Sequence, residues 1–470
     1  MAVRLGKQAA SALHKVLHLT SRGVISWLRV RSGQVRGPRV RPFLRGTWKE
    51  AVGSTASDIR KEIICPNCWH RFAPERVLFV ARHENLVGDL VAGPSAYRRF
   101  LPSRFTAMGD ALDANGLSCH QLACPRCHLV VSRPLLELSA YFVSIVGAPA
   151  SGKSYVLAAM TWQLRSILPK LGLLMADGDP AANQELQRYE ELLFMNNEPD
   201  KPIALRKTET QSDELYQTIT LDGQPQTFPR PFIFTLSPKT DGRRQQLGLI
   251  LYDNAGEHFL PGADSTATPT TLHIAESAAT MFLYDPTQDP RFRERCRRDD
   301  PQIQYGVRPG AGAASGRQEI ILSEMIARVR RYKGLSQAAK HRRPLVMVLA
   351  KADVWLPEGM LAESPLVEVA EENGTEGKRL ALSLDRIEQM SEQCRQILQE
   401  ACPEVVSAAE DFSERVIYIP VSALGCSPER VGDGDAAFYG IRPERIAPRW
   451  VTAPLLWALA QSAPGFIPTT

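Results

Sequence analysis

One stretch of sequence decides the fold, namely Gly147-Ala148-Pro149-Ala150-Ser151-Gly152-Lys153-Ser154. It fits the pattern G-x-x-x-x-G-K-S, follows the apolar run 141–146 and precedes a segment with helical periodicity. Glycines let the backbone wrap closely around phosphate oxygens, and successive N–H groups at a helix N-terminus form a nest for anions. We expect Lys153 to reach the β- and γ-phosphates of a nucleoside triphosphate and Ser154 to offer its hydroxyl to Mg²⁺. The stretch therefore predicts a strand, a phosphate loop (P-loop) and a helix.

Short apolar runs alternate with longer mixed segments through the rest of the chain. The runs predicted to be strands are residues 141–146, 232–236, 247–252, 281–284, 345–349 and 416–421. Segments with helical periodicity are residues 154–168, 319–332, 380–400 and 453–461. This alternation predicts an α/β fold of the P-loop NTPase type, with a mostly parallel sheet and helices on both faces. We assign this domain, with its insertions, to residues 138–465.

Three further motifs stand at the ends of predicted strands. They are Asp253-Asn254-Ala255-Gly256-Glu257, Ala350-Lys351-Ala352-Asp353 and Ser422-Ala423-Leu424. Ligands of open α/β sheets bind at the carboxyl ends of the strands. We expect Asp253 to organise Mg²⁺ and Gly256 to bring a backbone N–H to the γ-phosphate. The motifs together predict a single nucleotide site.

The order of these motifs resembles that of the Ras-like GTPase superfamily, in which G-x-x-x-x-G-K-S, D-x-x-G, N-K-x-D and S-A-K follow one another. The resemblance implies a Ras-like fold that binds GTP with Mg²⁺. It also implies that Asp353 accepts hydrogen bonds from the guanine N1 and N2 groups and that Lys351 packs along the base. The backbone N–H of Ala423, in the motif that Ser422 begins, would face the guanine O6.

The sequence departs from the superfamily pattern at two positions. We call residues 350–353 the base loop. Ala350 stands where the family has an asparagine that ties this loop to the P-loop, so we expect guanine affinity or preference to be reduced. Leu424 replaces a lysine. That change is milder, because the preceding backbone N–H makes the contact with the base.

The residues that position the attacking water remain open on the sequence alone. Ras-like proteins often carry a glutamine directly after the D-x-x-G glycine for this purpose. Here Glu257 takes that place and His258 follows, so both join Lys153 as candidate catalytic residues. The alternative is that Glu257 and His258 are solvated residues of a switch loop. We expect hydrolysis to be slow without an activator.

A threonine that binds Mg²⁺ should precede the predicted strand at 232–236. Thr208 and Thr210 are the candidates, and Thr220 and Thr227 are their rivals. For each of them the alternative is an ordinary loop threonine.

Four of the nine cysteines form two Cys-Pro-x-Cys knuckles, Cys65 with Cys68 and Cys124 with Cys127. In a large intracellular chain such pairs indicate a metal before they indicate disulfides. Two tight turns would aim four thiolates at a tetrahedral, structural Zn²⁺, although a reactive redox pair is the alternative. We assign a zinc-ribbon-like module with an insertion to residues 61–135. Nearby residues expected to be bystanders are Cys119, His70, His120 and His128.

The knuckles and the nucleotide motifs together resemble the bacterial double-GTPase proteins, over residues 63–463. This resemblance implies a GTP-hydrolysing molecular switch in a bacterial conflict system, with GTP, Mg²⁺ and Zn²⁺ as cofactors. Its partner would be an unknown protein effector or a second GTPase, docked on the insertions 290–317 and 355–379 unless these are plain surface loops. Two alternatives stay open: an ATPase whose zinc module holds nucleic acid, and a nucleotide-binding scaffold that does not hydrolyse.

Residues 1–60 form a basic arm and linker. The first fifty residues contain eleven Lys or Arg and a single acid, whereas the formal net charge of the whole chain is +5. Such an arm attracts anionic lipid or nucleic acid, unless it is simply a solvated tail. No apolar run is long enough to span a membrane and no secretory signal pattern is present, so we expect a cytoplasmic location. An organellar transit peptide is the alternative, because the arm is Arg-rich and acid-poor.

Overall fold

The computed structural model describes residues 60–107, 109–205, 216–221, 223–239, 246–254, 259, 270–305, 317–357, 359–370, 378–432 and 438–470. The chain divides into two compact units. Among the described residues, the first unit comprises residues 60–65 and His70–Ser139. The second unit comprises Pro66–Trp69 and Ala140–Thr470. Of the predicted basic arm, residues 1–59 lie outside the described residues.

The first unit is built from short antiparallel strands. They are β1 Ile63–Ile64, β2 Arg71–Phe72, β3 Leu78–Val80, β4 Val87–Asp89, β5 Gly93–Tyr97, β6 Arg99–Phe100, β7 Ala111–Leu112, β8 Ser118–Cys119, β9 Leu122–Ala123 and β10 Val130–Val131. Strands β10, β9, β3 and β6 form one sheet in that order, and β1–β2, β4–β5 and β7–β8 form hairpins. Such short ladders leave many backbone groups unpaired, so side chains complete the hydrogen bonding. The buried carboxylate of Asp113, for example, accepts from the backbone N–H groups of Arg82, His83, Asn115 and Leu117.

The second unit contains a seven-stranded sheet and three hairpins. Its strands are β11 Ser139–Gly147, β12 Leu173–Asp177, β13 Tyr216–Leu221, β14 Gln224–Pro229, β15 Phe232–Pro238, β16 Leu247–Asp253, β17 Ala279–Tyr284, β18 Leu345–Leu349, β19 Leu366–Ala370, β20 Lys378–Leu382, β21 Val416–Pro420, β22 Glu429–Val431 and β23 Phe438–Gly440. The strand order in the sheet is β12-β15-β16-β11-β17-β18-β21. Strand β17 pairs in parallel with β11 and β18, and β18 with β21, whereas β15 is antiparallel to β12 and β16. The prediction of a mixed α/β fold with a large, mostly parallel sheet is therefore confirmed.

The central strands of this sheet are buried along their whole length. Every residue of β16, β17 and β18 is buried, which agrees with their largely apolar sequences. The parallel register pairs Gly147 with Leu283, Tyr284 with Leu349, and Leu349 with Pro420. The carboxyl ends of β11, β17, β18 and β21 consequently lie side by side, and the loops that follow them leave the sheet at one edge.

The helices of the second unit connect and cover these strands. They are α1 Lys153–Ile167, α2 Gln184–Phe194, α3 Thr270–Glu276, α4 Pro301–Tyr305, α5 Gln318–Lys333, α6 Ala352–Trp355, α7 Leu384–Ala401, α8 Pro403–Phe412 and α9 Ala453–Ser462. Helix α1 contacts β12 and β16, α7 contacts β21, and α9 contacts β17 and β18. The strand and the helix predicted on either side of the phosphate-loop motif are therefore both present.

The predicted helix over residues 380–400 begins too early. Residues 378–382 form β20, which pairs antiparallel with β19, and α7 begins only at Leu384. Apolar residues at 380 and 382 suit both a helical and a strand pattern, and the pairing with β19 decides between them. The sequence patterns also failed to predict β12, α2 and the three hairpins.

Candidate functional site

The predicted P-loop connects the end of β11 to the start of α1. Lys153 is buried, and its Nζ donates hydrogen bonds to the carbonyl oxygens of Gly147 and Ala148, each at 3.0 Å. The φ angles of Ala150 and Gly152 are positive, 60° and 92°. Glycine adopts this conformation freely, whereas alanine does so at a cost in free energy. The loop is thus a tight turn that encloses the ammonium group of its own lysine.

Packing against β17 explains the first glycine of the loop. A Cβ atom at Gly147 would lie 2.6 Å from the carbonyl oxygen of Leu283 and 2.9 Å from its Cβ. Both distances are shorter than side-chain atoms tolerate, so only glycine fits between β11 and β17 here. The glycine predicted for phosphate binding is therefore also required by the sheet.

The two side chains predicted to organise Mg²⁺ lie next to each other. The hydroxyl of Ser154, on the first turn of α1, donates to Oδ2 of Asp253 at 3.3 Å. Asp253 is the last residue of β16 and is buried. Next to it, the backbone N–H and the Nδ2 of Asn254 both donate to the Ile145 carbonyl at 3.1 Å, which fixes the chain at the beginning of the predicted switch loop. A hydroxyl and a carboxylate at this spacing are ligands that suit Mg²⁺.

The base-binding residues that the resemblance implies meet at the ends of β18 and β21. Ser422 is fully buried, and its hydroxyl donates to Oδ1 of Asp353 at 2.5 Å. The same Ser422 oxygen accepts the backbone N–H of Gly425 at 2.8 Å, which shapes the loop that contains Ala423. The Oδ2 atom of Asp353 is buried, and no described residue donates a hydrogen bond to it. Burial raises the pKa of Asp353, while the hydrogen bond from Ser422 acts in the opposite direction.

Lys351 makes contacts that the resemblance did not imply. Its Nζ forms an ion pair with Oδ2 of Asp285 at 2.6 Å and donates to the Thr287 hydroxyl at 3.2 Å. Asp285 directly follows β17 and has no solvent exposure. A turn of 3₁₀ helix, Pro286–Gln288, comes next, and Gln288 Nε2 donates to the Pro149 carbonyl of the P-loop at 3.1 Å. Sequence analysis missed these residues, although Asp-Pro-Thr-Gln directly after an apolar run was a detectable signal.

The first part of the insertion after β17 packs beside the base loop. Phe292 is fully buried and meets the Trp355 ring edge to face, with centroids 5.5 Å apart. The backbone N–H of Arg297 donates to the Val354 carbonyl at 3.1 Å. Asp300 is buried and accepts a hydrogen bond from the Ser427 hydroxyl, in the loop after β21. These residues are therefore not a plain surface loop, which was one of the two predictions for this insertion.

Several predicted site residues lie outside the described residues. They are Gly256, Glu257, His258, Thr208 and Thr210. The rival threonines, Thr220 and Thr227, lie on the β13–β14 hairpin, where Thr227 pairs with Thr218 and their hydroxyl oxygens are 2.9 Å apart. The hydrolytic residues and the Mg²⁺-binding threonine remain predictions.

The two cysteine knuckles have the same local structure. The backbone N–H of Cys65 donates to the carbonyl of His70, and that of Cys124 to the carbonyl of Leu129, each at 3.0 Å. The residue after the second cysteine of each knuckle, Trp69 or His128, has a positive φ angle, 57° or 58°. Strands β1 and β2 flank the first knuckle, and β9 and β10 flank the second. Each knuckle is therefore the tip of a hairpin.

The four thiols form one buried cluster. The Sγ atoms of Cys65, Cys68, Cys124 and Cys127 all lie within 4.8 Å of one another. The Sγ atoms of Cys65 and Cys127 are 3.7 Å apart, close to the edge of about 3.8 Å that Zn–S bonds of about 2.3 Å give a tetrahedron. The structure describes all nine cysteines, and none of them forms a disulfide. The cluster could hold zinc, and its residues are those that the sequence predicted.

The predicted bystanders have other neighbours. The Nδ1 atom of His128 is 2.7 Å from Asp89, and that of His120 is 3.6 Å from Asp110. The ring of His70 stacks on Phe72, and the Cys119 thiol lies 3.9 Å from Asp113.

Across the described part of the chain, no helix has both the length and the apolar character needed to cross a membrane.

Comparison with known proteins gives one curated relative and several distant structures. No family model matches the sequence. The chain is 23% identical over 232 residues to SaeC of Mycolicibacterium smegmatis, whose name assigns it provisionally to ESX-1 scaffolding and assembly. That match covers 49% of this chain and 51% of SaeC, so the chain spans about half the length of the curated relative it matches.

Two of the similar solved structures are a yeast and a bacterial protein. The Ski7 GTPase-like domain of S. cerevisiae, bound to GDP and inorganic phosphate, is 12% identical with a TM-score of 0.27, over 61% of this chain and 43% of that chain. An Era variant from Aquifex aeolicus, bound to GDP·AlF4⁻, is 12% identical with a TM-score of 0.21, over 62% of this chain and 53% of that chain.

Proposed function

We propose that the protein is a GTP-binding and GTP-hydrolysing molecular switch. The support comes from one edge of the sheet, where the loops after β11, β17, β18 and β21 lie side by side. These loops supply a phosphate site and, two strands away, a buried carboxylate suited to a base. The Ser154–Asp253 pair supplies Mg²⁺ ligands on the phosphate side.

The observation that favours guanine over adenine is the hydrogen bonding of the Asp353 carboxylate. Ser422 holds Oδ1, while Oδ2 is buried and receives no hydrogen bond from the described residues. An ionised carboxylate only accepts hydrogen bonds, and a buried acceptor without a donor is unfavourable. The Watson–Crick edge of guanine presents two adjacent N–H donors, at N1 and N2, whereas adenine presents an acceptor at N1. Guanine therefore donates to the Asp353 carboxylate from both N1 and N2, whereas adenine donates only from N6 and brings the lone pair of its N1 next to the carboxylate.

In the proposed cycle the residues of this chain bind, orient and neutralise the triphosphate. Lys153 would donate to the β- and γ-phosphate oxygens, and Ser154 and Asp253 would hold Mg²⁺, whose charge would neutralise that of the phosphates. Gly256 contacts the γ-phosphate, and Glu257 and His258 orient the attacking water. Loss of the γ-phosphate releases the loop that contains Gly256, which makes the loop a reporter of nucleotide state.

Direct measurement of GTP and ATP binding and turnover on purified protein tests this proposal. We expect GTP to bind more tightly than ATP and to be hydrolysed slowly. The Asp353→Asn variant should lose GTP affinity and gain xanthosine triphosphate affinity, because its amide can donate to the xanthine O2. A wild-type preference for ATP would favour instead an ATPase whose zinc module holds nucleic acid.

A second candidate is a nucleotide-binding scaffold that does not hydrolyse. The local likeness to SaeC, whose name includes scaffolding, favours it, together with the alanine at position 350. The two candidates differ in turnover: a scaffold binds GTP with Mg²⁺ and produces no phosphate. Both candidates are compatible with a narrower proposal, in which the protein belongs to the double-GTPase family and acts in a bacterial conflict system.

We further propose that the four-cysteine cluster holds a structural Zn²⁺. Four thiolate ligands fill a tetrahedral coordination sphere and leave no position for a substrate, so the ion would stabilise the fold of residues 61–135 and take no part in hydrolysis.

A further inference from the structure

We propose that Gln288 positions the phosphate-binding peptide Pro149–Ala150, and that the turn 285–288 links this peptide to the base loop. The inference rests on the proposed function and goes beyond it, because it assigns to four residues after β17 a connection that Ala350 cannot make. Ala350 is buried and its methyl group offers no hydrogen bond.

The base-loop half of the link is centred on the Asp285 carboxylate. Its Oδ2 atom pairs with Lys351 Nζ at 2.6 Å. Its Oδ1 atom accepts from the backbone N–H of Thr287 at 3.0 Å and from the Thr287 hydroxyl at 2.7 Å. Lys351 itself has a left-handed φ of 53°, which an L-residue keeps only when neighbouring contacts hold it. The ion pair is such a contact.

Helix α5 fixes the position of this half. The Gln318 side chain is buried and makes two hydrogen bonds to the backbone of Asp285: its Oε1 accepts the Asp285 N–H, and its Nε2 donates to the Asp285 carbonyl, each at 2.8 Å. The turn is therefore anchored to a helix, and it cannot shift without breaking a pair of buried hydrogen bonds.

The P-loop half is the hydrogen bond from Gln288 Nε2 to the Pro149 carbonyl, at 3.1 Å. The Pro149–Ala150 peptide is trans, so its C=O and N–H point in opposite directions. Holding the carbonyl toward Gln288 consequently aims the Ala150 N–H away from it, which leaves that N–H available to the phosphate nest. Ala150 has a φ of 60°, a conformation that is unfavourable for alanine. The bond from Gln288 offsets this strain.

The test uses the full-length protein with Gln288→Ala and Gln288→Glu, the second of which keeps the chain length but cannot donate to a carbonyl. Gln163→Ala is the matched control, because Gln163 Nε2 donates to the Pro448 carbonyl at 2.9 Å in the same unit. Two quantities are measured: GTP and GDP affinity, and amide hydrogen exchange of peptides covering residues 147–153 and 350–356 without added nucleotide.

Both Gln288 variants should bind GTP and GDP about tenfold more weakly, the effect of losing one well-placed hydrogen bond. Exchange should accelerate in both peptides, and in neither for the control. Adding Ala150→Gly to Gln288→Ala should restore part of the affinity, because glycine keeps a positive φ without support.

Three results would overturn the inference. They are affinities no different from those of Gln163→Ala, faster exchange at 147–153 with unchanged exchange at 350–356, or no recovery with glycine at position 150. Failure of the proposed function is distinct, since it would appear as wild-type protein that binds no guanine nucleotide. The exchange measurement needs no nucleotide, so coupled acceleration in the two peptides would support the link even then, and its absence would refute it.

Discussion

At the scale of single residues, the structure holds charged side chains of the predicted site in place through hydrogen bonds to neighbouring residues. Asp353 has one oxygen on Ser422 and the other buried without a described donor. Lys153 donates to two carbonyl oxygens of its own loop. Such residues are pre-organised, because the protein has already lost the side-chain entropy that binding would otherwise cost.

GTP affinity should decrease at acidic pH because of Asp353. Burial raises its pKa above the usual 3.8, so the carboxyl takes up a proton at a higher pH than an ordinary aspartate. Protonation converts an acceptor into a donor facing guanine N–H groups. As pH falls below the pKa of Asp353, we expect affinity to fall about tenfold per pH unit, as linkage to a single proton requires.

Titration of GTP binding from neutral pH downwards measures this effect, with inorganic tripolyphosphate as the control ligand that has no base. The Asp353→Asn variant should lose the extra pH dependence. If GTP and tripolyphosphate weaken in parallel in the wild type, Asp353 does not contact the base in its ionised form.

Lys153→Ala should lower GTP affinity by about a hundredfold, since removal of a charged donor from a phosphate costs about 3 kcal/mol. Isothermal titration with Mg·GTP measures the change, and the thermal midpoint of the free protein checks the fold. Lys170→Ala, which removes an exposed lysine just beyond α1, is the control for net charge. Equal affinity in the Lys153 and Lys170 variants would end the P-loop assignment.

At the scale of elements, the knuckles show one local design used twice. Each is a hairpin tip with the same backbone hydrogen bond and with a left-handed residue at the same position. The spacing Cys-Pro-x-Cys was therefore enough to predict both tight turns. Elements whose identity depends on a distant partner were harder to predict. Residues 378–382 became β20 only because β19 lies beside them, and β12 is a strand despite an ordinary local sequence.

The zinc proposal predicts a metal content near one ion per chain. Cys65→Ser or Cys124→Ser should lose the ion and accelerate amide exchange over residues 63–131, because the free energy of metal binding is part of the folding free energy in such modules. Cys119→Ser is the matched control, since Cys119 is buried in the same unit but lies outside the cluster. Metal analysis by mass spectrometry gives the content. Unchanged zinc in all three variants would exclude the cluster as the binding site.

At the scale of the whole molecule, the sequence predicted the large parallel sheet because several strands are continuous apolar runs. Motif order also predicted that the loops after β11, β18 and β21 would share an edge. The sequence did not reveal how these loops are connected, because the turn at 285–288 and the insertion at Asp300 act through side chains brought together only by the fold. Residues of that kind have no fixed sequence separation from the motifs they support, so a motif pattern does not identify them.

Deleting residues 1–49 should leave GTP affinity unchanged and reduce association with anionic vesicles or DNA. The deletion removes eleven basic residues and no acid, so the difference should be largest at low salt, where charge attraction is least screened. Co-sedimentation of the full-length and truncated proteins with each ligand measures it. Equal co-sedimentation at low ionic strength would show that the arm is a solvated tail.

The tight fit of Gly147 against Leu283 has a consequence for how this protein could change during evolution. A side chain at position 147 would meet a carbonyl oxygen at 2.6 Å, so strand packing selects for this glycine whether or not a nucleotide is bound. Lys153 is under no such constraint from the sheet. Under the proposed function, descendants that abandon nucleotide binding should therefore lose the lysine early and keep the glycine. A remnant Gly147 without Lys153 would mark such a lineage.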